Sequence, residues 1–335
     1  MRFVGSDEEW DAAVRDLGGG NFCHLAGWRH VLAEALGHES VRLSAQGPGG
    51  ETLGLLPMAR VKSRLFGDYL LSMPFLSYGG PLGTEEAKRA LVEAAVAEAR
   101  TLGVDLLELR ARARLPGDLA VSERKLTVLK ALPATTEELW EKGIKAKLRS
   151  QVRRPQKEGM TARFGLEVLP AFYDVFARTM RDLGTPVLPR RFFDVTAERF
   201  AEESVVGVIE HQGRVVAAGY GFLWGGEVEI TWAGALREYS APNMLLYMSF
   251  MEESIRRGAG TFNFGRCSPG SGTHRFKMQW GSEEQVLPWA QWSPGGVAST
   301  PSPDSANFRL ATAVWTKLPV SVANFIGPRI SRLLP

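Results

Sequence analysis

Cysteine is scarce in this chain, and no apolar run approaches the roughly 18 residues that a bilayer span needs. Cys23 and Cys267 are the only cysteines among 335 residues, too few for a disulfide framework. Neither they nor the five histidines have the spacing of metal ligands, so no metal site is expected. The first residues, with Asp7, Glu8 and Glu9, lack a basic-then-apolar signal region. We therefore expect a cytoplasmic protein.

The excess of positive charge is also small. A formal net charge of +3 is too low to indicate nucleic-acid binding from bulk electrostatics, so any role of basic residues depends on local clusters. Apolar residues make up 44% of the chain and charged residues 23%, which is ordinary for a globular protein. A chain of 335 residues is long enough for about two domains.

The predicted elements occur in the same order in each half of the chain. The first half favours helices at about 7–17, 26–36 and 84–102, and strands at about 39–45, 52–62, 69–77 and 104–109. The second half favours helices near 170–183, 190–202 and 242–257, and strands near 204–211, 214–224, 227–235, 261–265 and 285–292. This repeat predicts a tandem α+β architecture, with a single large-sheet enzyme as the alternative. We expect domains over residues 1–132 and 133–295, followed by a linker and an amphipathic tail over 296–335.

The second predicted domain opens with a basic helix over residues 136–154. Four apolar residues share one face of it, within about 120° of one another: Trp140, Ile144, Leu148 and Val152. Four basic residues share an adjacent face, within about 80°: Lys142, Lys145, Arg149 and Arg153. Stacked like charges repel, so the stripe indicates an anionic partner, such as a pyrophosphate, an acidic glycan precursor or an RNA backbone. A solvated basic face is the alternative. Pro155 should end the helix, with Arg154 at its exit.

Residues 261–281 read as a short strand, a glycine-rich loop and a short apolar and basic segment. Glycines let backbone amides approach a ligand closely because no Cβ stands in the way. The segment brings Arg266, Arg275 and Lys277 together, which is typical of a site for an anionic or acyl substrate. An ordinary surface connection is the alternative.

Six segments carry a resemblance to a known family: 61–67 (VKSRLFG), 78–82 (YGGPL), 145–155, 180–186 (MRDLGTP), 240–247 and 261–281. Together they resemble the FemAB-type branch of the GNAT acyltransferase superfamily. More narrowly, they resemble the FemAB-related proteins associated with exosortase/PEP-CTERM loci. The resemblance covers nearly the whole chain and implies two GNAT-like domains with mixed, mainly antiparallel sheets. It also implies transfer of an acyl or aminoacyl group to an amine of an amino sugar, or of a cell-surface polysaccharide or peptidoglycan-type precursor.

The resemblance assigns catalytic roles to Lys277 and Glu229. Phe276-Lys277 resembles the Phe-Lys pair of FemAB-type aminoacyl transferases, whose lysine stabilises charge that develops in the transition state. Many GNAT enzymes place a glutamate base on the fourth strand of the domain. Alternation along 227–232 puts Val228, Ile230 and Trp232 on one face and Glu229 on the other, where it is a base or a solvent-facing residue.

The substrate-binding residues expected from these motifs are Lys145, Arg149, Arg153, Arg154, Asp182, Thr185, Asn243, Arg266 and Phe276. The donor expected is an aminoacyl-tRNA or an acyl-CoA, and the acceptor an amine-bearing glycan or lipid-linked precursor. The pyrophosphate loop of acetyl-CoA-dependent GNAT domains is rich in glycine, whereas residues 236–243 contain none and include Pro242. This departure argues against ordinary acetyl-CoA binding. An acyl-CoA-dependent N-acetyltransferase and a non-catalytic binding module in glycan assembly are the alternatives.

The tail from Phe308 to Leu334 combines large apolar residues with charged residues that are all basic. Packing back onto the domains is one expectation for it. A position in a membrane interface is the other, which would make the protein peripheral at the inner face of the membrane.

Overall fold

The computed structural model describes residues 1–63, 66–296 and 306–334. Arg64 and Leu65 of the motif at 61–67 lie outside the described residues, as does the linker that includes Pro303.

Helices and strands both occur in each half of the chain. The helices are α1 Asp7–Asp16, α2 Gly27–Leu36, α3 Glu85–Leu102, α4 Thr136–Glu138, α5 Ala146–Lys157, α6 Leu169–Asp182, α7 Arg190–Arg199, α8 Pro242–Arg256, α9 Gly272–Met278, α10 Ala306–Trp315 and α11 Val320–Ser331. The strands are β1 Glu39–Gln46, β2 Thr52–Ser63, β3 Gly67–Leu71, β4 Leu82–Gly83, β5 Leu106–Leu109, β6 Ala120–Ala131, β7 Thr161–Phe164, β8 Ser204–His211, β9 Arg214–Trp224, β10 Glu227–Ala235, β11 Thr261–Cys267 and β12 Glu283–Trp292. Short 3₁₀ turns span Phe22–His24 and Leu166–Val168, and a π-helical turn spans Leu139–Gly143.

Local signals fix the ends of several helices. The Ser6 hydroxyl accepts from the Glu9 amide at 3.1 Å, and the Glu9 carboxylate accepts from the Ser6 amide at 2.8 Å, which forms a capping box at α1. Helix α8 begins at Pro242, whose missing N–H costs nothing in the first turn. It ends just before Gly258, which has a φ of +80°.

The chain forms two compact units. The first comprises Met1–Lys125, Val286–Arg309 and Arg329–Pro335. Its strands lie in the order β1-β2-β3-β5-β12, with β4 paired to β2. In this order β3 and β5 run parallel, and the pairs β1–β2, β2–β3 and β5–β12 are antiparallel. Helix α3 packs its alanine-rich face on β1, β2 and β5 and closes the core around Leu56, Leu70 and Leu107.

The second unit comprises Leu126–Gln285 and Leu310–Pro328. Its strands lie in the order β6-β11-β10-β9-β8-β7, in which β10 and β11 run parallel and the other pairs are antiparallel. Helices α5 and α8 cover one face of this sheet. Helices α6 and α7 cover the other face, where Phe172, Phe193 and Tyr220 form an aromatic core. The predicted α+β class, with mainly antiparallel mixed strand pairing, is confirmed.

Three features differ from the sequence-based expectation. Strand β12 pairs with β5 of the first unit, whereas the order of elements suggested that it completes the second. Strands β6 and β7 had no counterpart in the prediction. The helix predicted over 136–154 is broken: the π-helical turn ends at Gly143, Ile144 is extended, and α5 starts after Lys145. Pro155 lies inside α5 and does not end it, because α5 continues to Lys157.

Candidate acyl-transfer site

The candidate site lies where the parallel strands β10 and β11 separate. Their ladder covers the three pairs from Glu227↔Thr261 to Glu229↔Asn263. Beyond it, β10 stays paired with β9 and continues to Ala235, while β11 pairs with β6 through Arg266↔Thr127. Two parallel strands that separate in mid-sheet leave a gap between their carboxyl ends, a position where α/β sheets often bind ligands.

A cavity of about 490 Å³ lies at this end of β10. The residues that line it come from the end of β10, the loop into α8, the first turns of α8 and α9, and one position of α6: Thr179, Ala233, Gly234, Ala235, Leu236, Arg237, Tyr239, Ala241, Pro242, Asn243, Leu246, Tyr247, Gly272, Thr273 and Phe276. Its volume is within the usual range for small-molecule sites.

The N-terminus of α8 contributes one wall of this cavity. Ala241, the residue before α8, has the left-handed values φ 52° and ψ 43°, a conformation that is strained for a residue with a Cβ. Ala241 therefore has the backbone conformation that a glycine would adopt most readily. The positive end of a fifteen-residue helix favours anionic groups, and Asn243 in its first turn adds a polar side chain.

Phe276 and Tyr247 form the apolar wall. Their rings meet edge to face, with centroids 4.9 Å apart, and both line the cavity. The buried Tyr247 ring also stacks on Phe264 of β11, at 5.6 Å, so the wall is continuous with the core beneath it.

Lys277 follows Phe276 in α9 and is not among the described residues that line the cavity. Its side chain is buried, and the residue is only 3% exposed. The Nζ group donates to the carbonyl oxygens of Gly265, at 2.7 Å, and Arg266, at 3.0 Å. Burial lowers the pKa of Lys277 to about 8, although the nearby Glu229 carboxylate opposes this shift. A lysine that donates to these two carbonyls ties α9, which carries Phe276, to the end of β11.

Glu229 is fully buried, so the alternative of a solvent-facing strand residue is wrong. Its carboxylate accepts from Asn263 Nδ2 at 3.2 Å. Asn263 Oδ1 in turn accepts from the Thr127 hydroxyl, at 2.7 Å, and from the Gly265 amide, at 2.8 Å. These bonds link the carboxylate to Gly265 at the end of β11, whose carbonyl accepts from Lys277.

The β10 strand contains a bulge between Ile230 and Trp232. Because a bulge inserts one extra residue, it changes which face the following side chains occupy. Trp232 therefore packs edge to face on Phe192 and Phe193 of α7, at 5.7 and 5.2 Å. The prediction that Trp232 shares the face of Val228 and Ile230 is thus wrong, since alternation holds only for an unbulged strand.

Part of the chain matches a known protein family. Residues 142–278 match a family model described as an acetyltransferase (GNAT) domain. These residues are similar to a GNAT acetyltransferase domain, and the name GNAT domain refers to them alone. The match spans α5 to α9 and includes the cavity with its surrounding strands.

Solved structures with a similar fold extend over most of the chain. FemX superposes with a TM-score of 0.66 at 14% identity, covering 88% of this chain and 97% of its own. The C-terminal domain of a putative lysylphosphatidylglycerol synthetase from Agrobacterium fabrum has a TM-score of 0.58 at 15% identity, covering 92% and 97%. A tandem GNAT protein from the clavulanic acid biosynthesis pathway has a TM-score of 0.53 at 12% identity, covering 89% and 98%. The fold is therefore that of FemAB-type GNAT proteins. No curated protein has a sequence that matches this chain.

The GNAT domain brings two of the predicted substrate-binding residues into the cavity, Asn243 and Phe276. Arg266 lies behind it on β11, where its carbonyl accepts from Lys277. Asp182 pairs with Arg181 at 2.7 Å, and the Thr185 amide donates to the Met180 carbonyl just beyond α6. Asp182 and Thr185 are not among the described residues that line the cavity. Helix α6 contributes Thr179 to that lining.

The predicted basic stripe lies outside the described lining of the cavity. The Arg149 guanidinium donates to the carbonyls of Trp140, Glu141 and Ile144 at 3.2, 3.1 and 2.7 Å, and so closes the break before α5. Arg153 lies over the Trp140 ring at 5.2 Å. Arg154 is 3.6 Å from Glu158, and Lys145 is exposed at the start of α5. The described cavity lining includes none of these four residues. The regular helix that would have aligned them does not form.

The residues of the GNAT domain that sequence reasoning missed are Thr179, Arg237, Tyr239 and Tyr247. Arg237 and Tyr239 lie in the segment 236–243, for which the sequence-based interpretation used only the lack of glycine. Its position between β10 and α8 was the signal that could have identified them, because the loop after a strand at a gap in the sheet faces the ligand.

In the first unit, the Tyr78-Gly79-Gly80-Pro81 motif lines a separate cavity of about 230 Å³. Its basic lining residues are Lys88, Arg110, Arg112 and Arg114, with the Arg112 guanidinium 4.1 Å from the Tyr78 ring centre. Within residues 1–63, 66–296 and 306–334, no group of three His, Cys, Asp or Glu side chains is placed to hold a metal ion.

Proposed function

We propose that the protein transfers an activated acyl or aminoacyl group, from a donor bound in the cavity beside α8 and α9, to an amine. The observation that supports this most directly is the cavity itself. It combines the positive end of α8, the polar side chain of Asn243 and an apolar wall of Phe276 and Tyr247. Such a combination suits a donor with an anionic portion and an acyl or terminal base portion.

Two features support the proposed classes of donor. GNAT domains use acyl-CoA as their co-substrate, and the left-handed Ala241 gives the α8 loop a glycine-like turn although it contains no glycine. The fold is also shared with FemX and with a protein named as a putative lysylphosphatidylglycerol synthetase, a name that points to aminoacyl transfer. We propose acyl-CoA and aminoacyl-tRNA as the two donors to test. The acceptor that we propose is an amine of an amino sugar or of a glycan or lipid-linked cell-envelope precursor.

We propose that Lys277 stabilises the negative charge of the reacting carbonyl oxygen. An amine that attacks an ester or thioester carbonyl builds an oxyanion, which a fixed ammonium in a dry site stabilises. A lysine ammonium has three N–H groups, and the carbonyls of Gly265 and Arg266 accept from two of them. Glu229, oriented by Asn263, is the proposed base for the amine proton.

The test is a donor and acceptor screen by mass spectrometry with the full chain. We expect a new amide on an amine acceptor with one of the two donors. Phe276→Ala should raise the KM for that donor about tenfold, because the apolar wall is lost. Lys147→Ala, at an exposed basic residue of the same domain that is not among the predicted substrate-binding residues, should leave KM unchanged. Absence of any transferred group with either donor, or an unchanged donor KM for Phe276→Ala, would contradict the proposal.

A further inference from the structure

A third cavity, of about 450 Å³, lies in the first unit where α2 ends and β1 begins. Its lining includes residues 36–39, Arg60 and Lys62 of β2, and Arg332, which follows α11. All of these residues belong to the first unit. The end of the tail predicted over 296–335 therefore packs on that unit, as one of the two sequence-based expectations had it. No helix among the described residues is long and apolar enough to cross a membrane.

Three basic side chains line this cavity, those of Arg60, Lys62 and Arg332. Arg60 and Lys62 are two residues apart on β2, so their side chains leave the same face of the strand. The Asp68 carboxylate accepts from Arg60 at 2.8 and 2.6 Å and lies 4.0 Å from Lys62 Nζ. Glu39 is the acidic residue of the described lining. Three cations and two carboxylates leave an excess of one positive charge at the cavity.

Arg332 is the cation that is available for a ligand. Its side chain is exposed and makes no ion pair or hydrogen bond with any residue that the structure describes. Its charge acts on His38, another lining residue: burial, together with the nearby Arg332 charge, lowers the pKa of His38 to about 4. The His38 ring is therefore neutral at pH 7, with a proton on one of its two nitrogens.

The His38 ring also contains a polar atom that lacks a partner. His38 is only 8% exposed, and its buried Nε2 atom has no hydrogen-bond partner among the described residues. The ring stacks beside Phe75, with centroids 6.1 Å apart. Most buried polar atoms in proteins are paired, so an unpaired one needs an explanation, and an anion bound in the cavity supplies one. In the tautomer that carries the proton on Nε2, this atom donates to such an anion.

We propose that this cavity binds a phosphate group, either as inorganic phosphate or as the phosphate monoester of a small molecule. Arg332 and Lys62 supply the positive charge, and the Nε2–H group of His38 donates to a phosphate oxygen. Arg60 remains paired with Asp68. The proposal goes beyond acyl transfer, because none of these residues belongs to the described lining of the cavity beside α8 and α9.

The charge and the number of acceptors favour phosphate over a carboxylate. A phosphate monoester carries a charge of about −1.5 to −2 at pH 7, which offsets the excess positive charge, and its three terminal oxygens accept from donors in different directions. A carboxylate has a single charge and two oxygens in one plane, so it fits three separate donors less well. The cavity volume also lies in the range of small-molecule sites, which leaves room for the organic part of an ester.

The experiment is isothermal titration calorimetry of the full chain at constant ionic strength, with inorganic phosphate, glycerol 3-phosphate and acetate as probes. We expect both phosphate probes to bind, and acetate to bind about tenfold more weakly or not at all. The phosphate probe with the lower dissociation constant identifies the source of the group. Arg332→Ala should weaken phosphate binding about tenfold or more. The matched control Arg89→Ala, at an exposed arginine of α3 outside the described lining, should bind like the unaltered protein.

A second variant, His38→Phe, separates the role of Nε2 from that of the ring. Phenylalanine keeps an aromatic ring beside Phe75 and removes the unpaired nitrogen. Without phosphate, we expect an equal or higher urea midpoint of unfolding, because a buried polar atom without a partner lowers stability. Phosphate affinity should nevertheless fall by about threefold or more, because one donor is lost.

Four results would overturn the proposal. Neither phosphate probe binds, or acetate binds as tightly as phosphate, or His38→Phe keeps the full phosphate affinity, or Arg332→Ala binds phosphate as well as Arg89→Ala does, which would place the phosphate elsewhere in the chain. Circular dichroism and urea unfolding of each variant verify that the fold is kept. Because Arg332 and Arg89 are exposed, we expect the unfolding of their variants to match that of the unaltered protein.

Discussion

Lys277 combines a buried ammonium with a lowered pKa, and this pairing gives the proposed reaction a pH limit. Burial lowers the pKa to about 8, so the positive charge is present at neutral pH and is lost as pH rises through that value. If the charge stabilises the oxyanion, kcat/KM should fall about tenfold per pH unit above about 8. Lys277→Arg should remove this fall, because a guanidinium stays charged throughout. Lys277→Met should lower turnover by about 10²-fold at pH 7.

The pH profile of transfer, measured between about pH 6 and 10, tests this expectation. A purely structural lysine would lower the amount of folded enzyme in Lys277→Met without changing the shape of the profile. A flat profile for the unaltered enzyme above pH 8 would remove the Lys277 charge from the mechanism.

The lowered pKa of Lys277 also predicts how the free energy of unfolding depends on pH. Its pKa is about 8 in the folded chain and near the ordinary 10.5 in the unfolded chain. Between these values the unfolded chain binds more protons, so the contribution of Lys277 to the free energy of unfolding rises with pH, by up to about 1.4 kcal/mol per unit. Below about pH 8 the contribution is constant and unfavourable. Denaturant unfolding of the unaltered protein and of Lys277→Met, between pH 7 and about 10, should differ by this slope; equal slopes would contradict the buried, shifted lysine.

At the scale of elements, Arg149 decides how the basic segment is built. Its guanidinium bonds to three carbonyls at the break between the π-helical turn and α5. Arg149→Ala leaves those carbonyls without their donor and should lower the free energy of unfolding by about 1–3 kcal/mol. Lys147→Ala, an exposed position in the same helix, should change it by less than about 0.5 kcal/mol. Urea unfolding measures both. A donor KM that rises in Arg149→Ala while stability stays unchanged would restore the anion-binding role predicted from the sequence.

Elements with strong local signals were predictable, and those fixed by distant partners were not. Strands β8, β9 and β10 match the predicted 204–211, 214–224 and 227–235, because glycine-containing turns separate apolar runs. Strand β6 carries the charged Glu123, Arg124 and Lys125 in its first half, and the apolar residues that follow are stabilised as a strand by pairing with β11. In the cavity, the family resemblance predicted Phe276 and Asn243. The basic stripe around Arg149 was predicted for one regular helix, whereas the chain breaks before α5, where Arg149 donates to backbone carbonyls.

At the scale of the whole molecule, the first unit depends on a strand from late in the chain. Strand β12 pairs with β5 through Ala290↔Leu109 to Trp292↔Leu107. The pairing is supported by side chains, because Gln291 Nε2 donates to the buried Glu108 carboxylate at 2.7 Å. The other carboxylate oxygen of Glu108 accepts from Arg110, whose guanidinium lies 4.7 Å from the Trp289 ring centre. Loss of β12 thus removes both a ladder and the partners of a buried ion pair.

This dependence predicts different outcomes for two truncations. A chain that ends after Gln285 lacks β12 and should lose amide hydrogen-exchange protection in β5, at Leu106–Leu109, because the ladder partner is gone and the Glu108–Arg110 pair loses Gln291 and Trp289. A chain that ends after Gly296 keeps β12 and should retain that protection, although it lacks α10 and α11 just as the shorter chain does. Hydrogen exchange read by mass spectrometry on peptides from β5 and, as an internal reference, from β9 separates the two. Equal protection of β5 in both chains would mean that the first unit folds from residues 1–125 alone, and that β12 belongs functionally to the second domain, as the order of elements along the sequence suggests.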